Sequence, residues 1–507
     1  MTNEEKKEDD NKVRIKLERH IWPDEAEKKE QRFQKRLFTV FIVVSMIFVF
    51  IVGWLIGTSG TVRFNQPEEQ QDASKIDYVM DILSNSWYFA KDDPEIKDHL
   101  LDRALYGMST SEVDPHTTYF SNDELNNFTQ SINMNFVGIG VQYTTNEGVY
   151  VINRVFKNSP AEEAGVLPGD IISKIDGVST EGLTTDEIKD KVRGESGTKV
   201  SIEFIREGKP ITIDITRREV NGTAYGKMMQ DDIGYLEIYG FGDSTGYEVE
   251  AYLDDMSEAG MKKLIIDLRD NGGGYLDAFV DVVSYFVDKD VVVMQQEYAD
   301  GSIRETTSTG GKYANIEDII VLTNEQTASA SEVLTLALLE LRDDVTTLGT
   351  TSYGKGTVQV TQPFTDGSAL KYTSSKWLSP NGTSIDGVGI VPDIEVKLHD
   401  ILYEAYLPME DEDSFTIDQV SNYVRILQEG LDYLDYTVDR TDGYFDKSTL
   451  AALKQFETDR DITVDGILDK STFEVLVSSV VKEYSLNEAK DAQLTAAVDI
   501  LAQGKQN

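Results

Sequence analysis

The stretch DIIVLTNEQTASASEVLTLALLELR, residues 318–342, decides the fold class. It opens on a short apolar run that closes in Thr-Asn-Glu-Gln, the pattern of a buried strand and turn. SEVLTLALLELR then carries apolar residues at helical spacing. Between the two lies Thr327-Ala328-Ser329-Ala330-Ser331, small and hydroxyl residues at a strand-to-helix junction. A serine there sits near the unpaired N–H groups of a helix start, where developing negative charge is favoured. Taken alone, such a run is more ordinarily an N-cap or a small-residue contact.

Outward from this junction, strand and helix patterns alternate from 219 to about 400, which predicts an α/β core. One strand, KKLIID, runs into Asn271-Gly272-Gly273-Gly274, a turn whose exposed amides suit an oxyanion. The turn lacks both the GKS/T of a phosphate-binding loop and the spacing of a dinucleotide fingerprint. Downstream, TSYGKGTVQV (351–360) holds Lys355 between Gly354 and Gly356. Gly-Lys-Gly is ordinarily a surface turn. A lysine buried among neutral neighbours, however, loses its proton more readily and can act as base toward a serine. Gln359 supplies a neutral amide that can orient the amine without pairing its charge.

Composition removes several alternatives. At 507 residues the chain predicts about three domains. With 90 acidic against 48 basic residues, and a net charge of −42, a nucleic-acid partner is disfavoured. The absence of cysteine excludes disulfides, thiolate zinc sites and a cysteine nucleophile. The four histidines (His20, His99, His116, His399) show no metal-ligand spacing, and none adjoins the Ser/Ala run in sequence. No metal and no organic cofactor is expected.

Residues 37–57, LFTVFIVVSMIFVFIVGWLIG, are uncharged and long enough to span a bilayer. Lys28, Lys29, Arg32, Lys35 and Arg36 precede them, and only Arg63 follows closely. The positive-inside rule then leaves a cytoplasmic tail (1–36) and sends everything beyond residue 60 outside a bacterial cell membrane. The alternative, a cleaved signal peptide, lacks an A-x-A site. Beyond the span, 74–134 reads as helical and 135–218 as short Gly-punctuated strands interrupted by the helix TTDEIKDKV. Residues 416–482 are helical, with an internal echo, DGYFDKST (442–449) and DGILDKST (465–472). Asp-Gly predicts a turn and the following Ser/Thr a helix cap. An EF-hand reading of the second copy fails because Thr472 stands where the bidentate glutamate belongs.

With these stretches in hand, the chain resembles the carboxyl-terminal processing proteases, serine peptidases with a Ser–Lys dyad and an inserted PDZ domain. The resemblance is carried by DPHTTYF, FVGIGV, SPAEEAGVLPGDIISKIDG, IGYLEIYGF, DLRDNGGG, TASASE, GKGTVQ and SPNGTSIDGVGIVPDIEV, across about residues 74–400. It implies a multidomain α+β chain: one transmembrane helix, a PDZ domain (135–218) inserted before an α/β protease core (219–400), and a C-terminal three-helix domain (416–482) similar to peptidoglycan-binding modules. By motif position it implies Ser329 as nucleophile, Lys355 as general base and Gln359 as the orienting partner. The oxyanion amides would come from Ala330 and from Gly273 and Gly274 of the Gly272–Gly274 turn. Phe136, Val137, Gly138, Ile139, Gly140 and Val141 would receive a peptide's terminal carboxylate while the peptide adds as a strand. Arg193 would gate or sense that ligand, or simply be solvated.

Thr327 stands where the family usually has Ser, and Gly272 where proline is common. The interval from Ser329 to Lys355 is about one residue longer than usual, which leaves Ser331 as a reserve nucleophile. The implied partners are proteins or peptides with apolar C-termini, peptidoglycan, the membrane through one span, and a second copy in a homo-oligomer. A non-catalytic PDZ scaffold is the alternative function, though a scaffold has no need to keep Ser329, Lys355 and Gln359 together.

Overall fold

Ile233–Ile238, Lys263–Asp267, Asp318–Thr323 and Val345–Gly349 are near-continuous apolar runs, as expected of parallel strands covered on both faces. They pair in that order, all parallel, with Ile394–Glu395 added at one edge and the antiparallel Ala224–Met228 at the other. Alternate side chains go to opposite faces. Leu264, Ile266, Ile319 and Val321 pack with helices Thr245–Glu258, Leu276–Ser284 and Ala330–Leu341. Ile265, Ile320, Leu322 and Leu348 face the other way, onto Leu494, Ala497 and Leu501 of the final helix, Ala492–Gln503. That helix has no place in the sequence expectation, which stops its last domain at 482. Here the chain returns to the parallel sheet after passing through the three-helix domain.

The structure, a computed structural model, describes residues 73–503 except 147–148, 221, 404–408 and 411. The expected tail (1–36) and span (37–57) lie outside the described residues. Among the described ones no helix is long and apolar enough to cross a membrane. Residues 1–100 and 101–507 are two compact units. The described part of the first holds helix Ala73–Asn85, a 3-10 turn at Tyr88–Asp92 and the start of helix Ile96–Ser109.

The expected all-helical 74–134 segment also contains a strand. Thr118–Phe120 of DPHTTYF pairs with Ala369–Leu378 of a second, five-stranded sheet. Phe120 and Phe128 stack there at 4.9 Å, and the strand pairing builds residues 118–120 into that sheet.

The PDZ-like region is a sheet of Val141–Asn146, Val149–Val155, Ile171–Ile175, Lys199–Arg206 and Lys209–Thr216, with helices Pro160–Ala164 and Thr185–Val192. Its core includes Ile139, Ile152, Ile188 and Phe204. The two chain crossings at its boundaries pair with each other, Phe136–Gly138 against Arg218–Val220.

In the C-terminal domain, helices Asn422–Tyr433, Lys447–Asp459 and Lys470–Leu486 surround Leu427, Phe445, Leu453 and Phe456. The two echoed turns are capped by aspartate rather than by Ser or Thr. Asp446 accepts the Thr449 N–H and Asp469 the Thr472 N–H, each at 2.8 Å. This domain also shares a core with the PDZ region, since Val151 and Ile171 join its cluster. The backbone of Gly169 lies so close to the Ser478 carbonyl that a Cβ there would stand 2.4 Å from it.

Candidate active site

Ser329 ends the turn after strand Asp318–Thr323 and begins helix Ala330–Leu341 with φ +57° and ψ −120°. A non-glycine residue held there is strained, and such strain persists only where neighbours over-determine it. The determinants are visible on both sides. Ala328 donates its N–H to the Asn271 carbonyl (3.0 Å), and Thr327 Oγ1 donates to the Leu268 carbonyl (2.8 Å). Thr327 is fully buried and its hydroxyl also accepts the Asn324 N–H, so threonine supplies the needed hydroxyl as serine would.

Glu332, fully buried, does what the sequence reading did not anticipate. Its Oε2 accepts the backbone N–H of Ser329 and of Lys355, both at 2.9 Å. Its Oε1 accepts the Gly354 N–H and the Ser352 hydroxyl, both at 2.6 Å. One carboxylate oxygen thus holds the Ser329 and Lys355 backbones within two hydrogen-bond lengths of each other. The signal was present: Ser329-x-x-Glu332 is a capping-box pattern.

The glycines flanking Lys355 answer to different constraints. Gly354 has φ +87°, and a Cβ there would meet the Gly389 nitrogen at 2.7 Å. Gly356 needs no unusual path. It is kept small because a Cβ would stand 2.4 Å from Asp386 Cβ. Burial lowers the pKa of Lys355, the nearby Lys371 cation lowers it further, and Glu332 opposes them. Lys371 is itself lowered by burial and lies over the rings of Phe120 and Phe128. His116 belongs to this neighbourhood too. Burial, and then the Lys355 charge, lower its pKa and favour the neutral imidazole.

Gln359 is the third residue of strand Thr357–Pro363, and its amide nitrogen is turned to Thr357 Oγ1 (2.9 Å) and Thr373 Oγ1 (3.2 Å). Thr373, in strand Ala369–Leu378, in turn donates to Asp114, tying the DPHTTYF segment to that strand. Ser331 is fully buried and its hydroxyl donates to the Asn271 carbonyl (3.0 Å), which removes it as an accessible nucleophile.

On the oxyanion side, Ala330 occupies the first helical position, where N–H groups have no intrahelical acceptor. Gly273, φ +98°, presses on it: a Cβ would stand 2.8 Å from Ser329 Cβ and 2.9 Å from the Ala330 nitrogen. The Gly273 N–H already donates to Asn271 Oδ1 (2.9 Å), so its missing side chain matters at least as much as its amide. Gly274 bridges to Phe241, with no room for a Cβ against the Phe241 carbonyl. Gly272 has open space at its Cβ position, which explains why the residue type can differ there.

The expected peptide groove is a cavity of about 350 Å³. Phe136, Gly138, Ile139, Gly140 and Val141 line it, and Val137 does not. Thr185, Lys189, Val192 and Arg193 form the other wall, and Arg193 lies 4.9 Å over the Phe136 ring. Tyr239 and Asp270, from outside the PDZ region, also line it. There Arg154 of the PDZ region pairs with Glu237 of the catalytic sheet at 2.9 Å.

Comparison with known proteins now fits this geometry. The profile of Peptidase family S41 matches residues 232–396, a PDZ domain profile 151–206 and a peptidoglycan-binding domain profile 420–476. A "Probable CtpA-like serine protease" of Staphylococcus haemolyticus is 32% identical over 90% of each chain. The chain belongs to peptidase family S41. The "Carboxy-terminal processing protease CtpA" of Bacillus subtilis is also 32% identical, over 92% of this chain and 98% of that one. Among solved structures, the photosystem II D1 C-terminal processing protease is similar at 22% identity and TM-score 0.41, over 65% of this chain and 94% of that one. The protein is thus a serine peptidase with a C-terminal processing function, carrying PDZ and peptidoglycan-binding domains.

Proposed function

We propose that the chain is a membrane-anchored extracytoplasmic endopeptidase that cuts exported proteins near their C-termini, with Ser329 and Lys355 as its dyad. The observation that carries this reading is the buried Glu332 carboxylate shared by the Ser329 and Lys355 amides. Ser329 Oγ attacks the scissile carbonyl and passes its proton to the neutral Lys355 amine. Lys355 then returns that proton to the leaving amine, and water completes the cycle by the same route. The oxyanion that forms at each addition is held by the Ala330 N–H and an amide of the Gly272–Gly274 turn, aided by the positive end of the helix. A lysine base must be neutral to act, and its burial and the Lys371 cation both favour that form.

The substrate's C-terminus enters the cavity between FVGIGV and helix Thr185–Val192, with its carboxylate at the Gly138–Val141 turn. Gln359, whose amide nitrogen is held by Thr357 and Thr373, would orient the lysine through its carbonyl oxygen, a role subordinate to the dyad. The membrane span at 37–57 keeps these domains outside the cell, beside a wall to which the C-terminal domain binds. The test is cleavage of an unfolded protein with an apolar C-terminus, with products read by mass. Loss of cleavage in Ser329→Ala and in Lys355→Ala, with folding intact, supports the dyad; full activity in either sinks it.

A further inference from the structure

Arg269 lies two residues before the Asn271–Gly274 turn, yet its side chain leaves the active-site face altogether. It is nearly buried and forks onto Asp267, with Nε 2.9 Å from Oδ1. Its other arm reaches the start of the final helix: Nη1 donates to Asp491 Oδ1 and Gln493 Oε1, each at 3.0 Å, and Nη2 lies 2.8 Å from Asp491 Oδ2. Asp491 also accepts the N–H groups of Gln493 (3.1 Å) and Leu494 (3.0 Å), so the carboxylate that binds Arg269 also caps the helix. Gln493 Nε2 donates to the Val396 carbonyl (2.8 Å), next to the sheet's edge strand. At its far end the helix is held by Lys263 Nζ on the Leu501 carbonyl (2.7 Å). The helix start therefore has one position relative to the sheet, and Arg269 is tied to it.

What Arg269 anchors is the loop that meets the nucleophile. Asp270 adopts φ +62° and donates its N–H to Asn324 Oδ1 (3.0 Å). Asn271 is fully buried, donates to the Ile238 carbonyl (2.7 Å), and holds Ala328, Ser331 and Gly273 as described above. We propose that Asp491 and Gln493 are positioning residues for catalysis: through Arg269 they fix the 268–274 loop and hence the oxyanion side of the Ser329 site. The final helix is then a working part of the protease, and the C-terminal domain is an insertion between the catalytic sheet and its last piece. The proposal rests on Ser329 being the nucleophile, and the experiment keeps the two claims apart.

A purely stabilising pair is the alternative, since breaking a buried ion pair on one side weakens a fold wherever it lies. The full chain is compared with Asp491→Asn, Gln493→Leu, Leu494→Ala and Ser329→Ala. Each is assayed for kcat and KM on a short peptide, for melting temperature, and for affinity toward a peptide aldehyde and the matching alcohol. The aldehyde adds a nucleophilic serine and places an oxygen where the oxyanion forms; the alcohol does not. Asp491→Asn is expected to lower kcat about 10- to 100-fold with KM unchanged, as small misplacements do. Aldehyde affinity should fall by a similar factor and alcohol affinity should hold. Gln493→Leu should act in the same direction but less. Leu494→Ala, which loosens packing without touching Arg269, should lower melting temperature and leave kcat near the parent value.

Parent-like kcat and aldehyde affinity in a folded Asp491→Asn protein would overturn the proposal. So would a kcat loss in folded Leu494→Ala as large as that in Asp491→Asn. If Asp491→Asn does not fold, Gln493→Leu decides, and unchanged kcat there overturns the proposal. Aldehyde affinity that survives Ser329→Ala contradicts the nucleophile assignment instead.

Discussion

The two faces of the catalytic sheet solve the same problem with different materials. On the helix side, Glu332 gathers Ser329, Ser352, Gly354 and Lys355, all within 23 residues of it in sequence. On the opposite side, Arg269 finds Asp491 across 222 residues, after the chain has traversed the whole C-terminal domain. Both are buried carboxylate clusters that pin a turn next to Ser329. The first is local and holds the proposed dyad; the second is remote and holds the loop facing it. A site can therefore be read from its motifs while the supports that keep it in register stay hidden.

The comparison can be broken first at the dyad. Ser329→Ala and Lys355→Ala should each lower kcat by about four orders of magnitude or more, and the double variant should be no worse, because the two act as one unit. Additive losses would mean that they act separately. Next comes their tie. Glu332→Gln puts an amide where four donors converge, leaving buried N–H groups unsatisfied. It should reduce kcat about 100-fold and lower the melting temperature; near-parent kcat would show that the dyad needs no such clamp. The remote support is expected to matter less, on the scale given above for Asp491→Asn.

A smaller effect concerns the groove. A peptide with an apolar C-terminus and a free carboxylate, added in trans, should raise turnover of a short substrate about fivefold, the low end of ordinary coupling. Its amidated form should not. Equal turnover with and without the free peptide would make the PDZ region a tether acting through effective concentration.

The smallest effect lies far from the dyad. Burial pushes the Glu457 carboxyl up to about 7, while it accepts the Gly466 N–H. The folded state then holds a proton that the unfolded state releases, so its contribution to stability falls as pH rises through the range between the ordinary value and 7. Glu457→Gln should raise the melting temperature by about 2 °C at pH 8 and change little at pH 5. The same shift at both pH values would contradict that account.

How much was legible follows from sequence distance. The strand-to-helix junction at Ser329, the Gly-Lys-Gly turn and the helix of the PDZ groove were readable because periodicity and motif spacing are local. Thr118–Phe120 escaped because three residues carry no period, and their sheet partner lies far along the chain. Ser331 stood in reserve behind Ser329 because spacing alone does not show that its hydroxyl is turned to the Asn271 carbonyl. The caps of the C-terminal echo lie two or three residues earlier than expected: the aspartate at each helix start competes better than the Ser/Thr that follow. The final helix had no motif at all, and its role comes only from the sheet face it covers.

The central claim is that Lys355 acts as a neutral base beside Ser329, and a pH profile tests it most directly. The acid limb of kcat/KM on a short peptide reports the free enzyme's essential base. Lys355 is lowered by burial and by the Lys371 cation, so the limb should rise below the ordinary lysine range. Removing that cation in Lys371→Gln raises the Lys355 pKa, and the limb should move to higher pH while the plateau stays within a few-fold of the parent. A profile flat from mildly acid to alkaline, or a limb that Lys371→Gln leaves in place, contradicts a lysine base tuned by its neighbours.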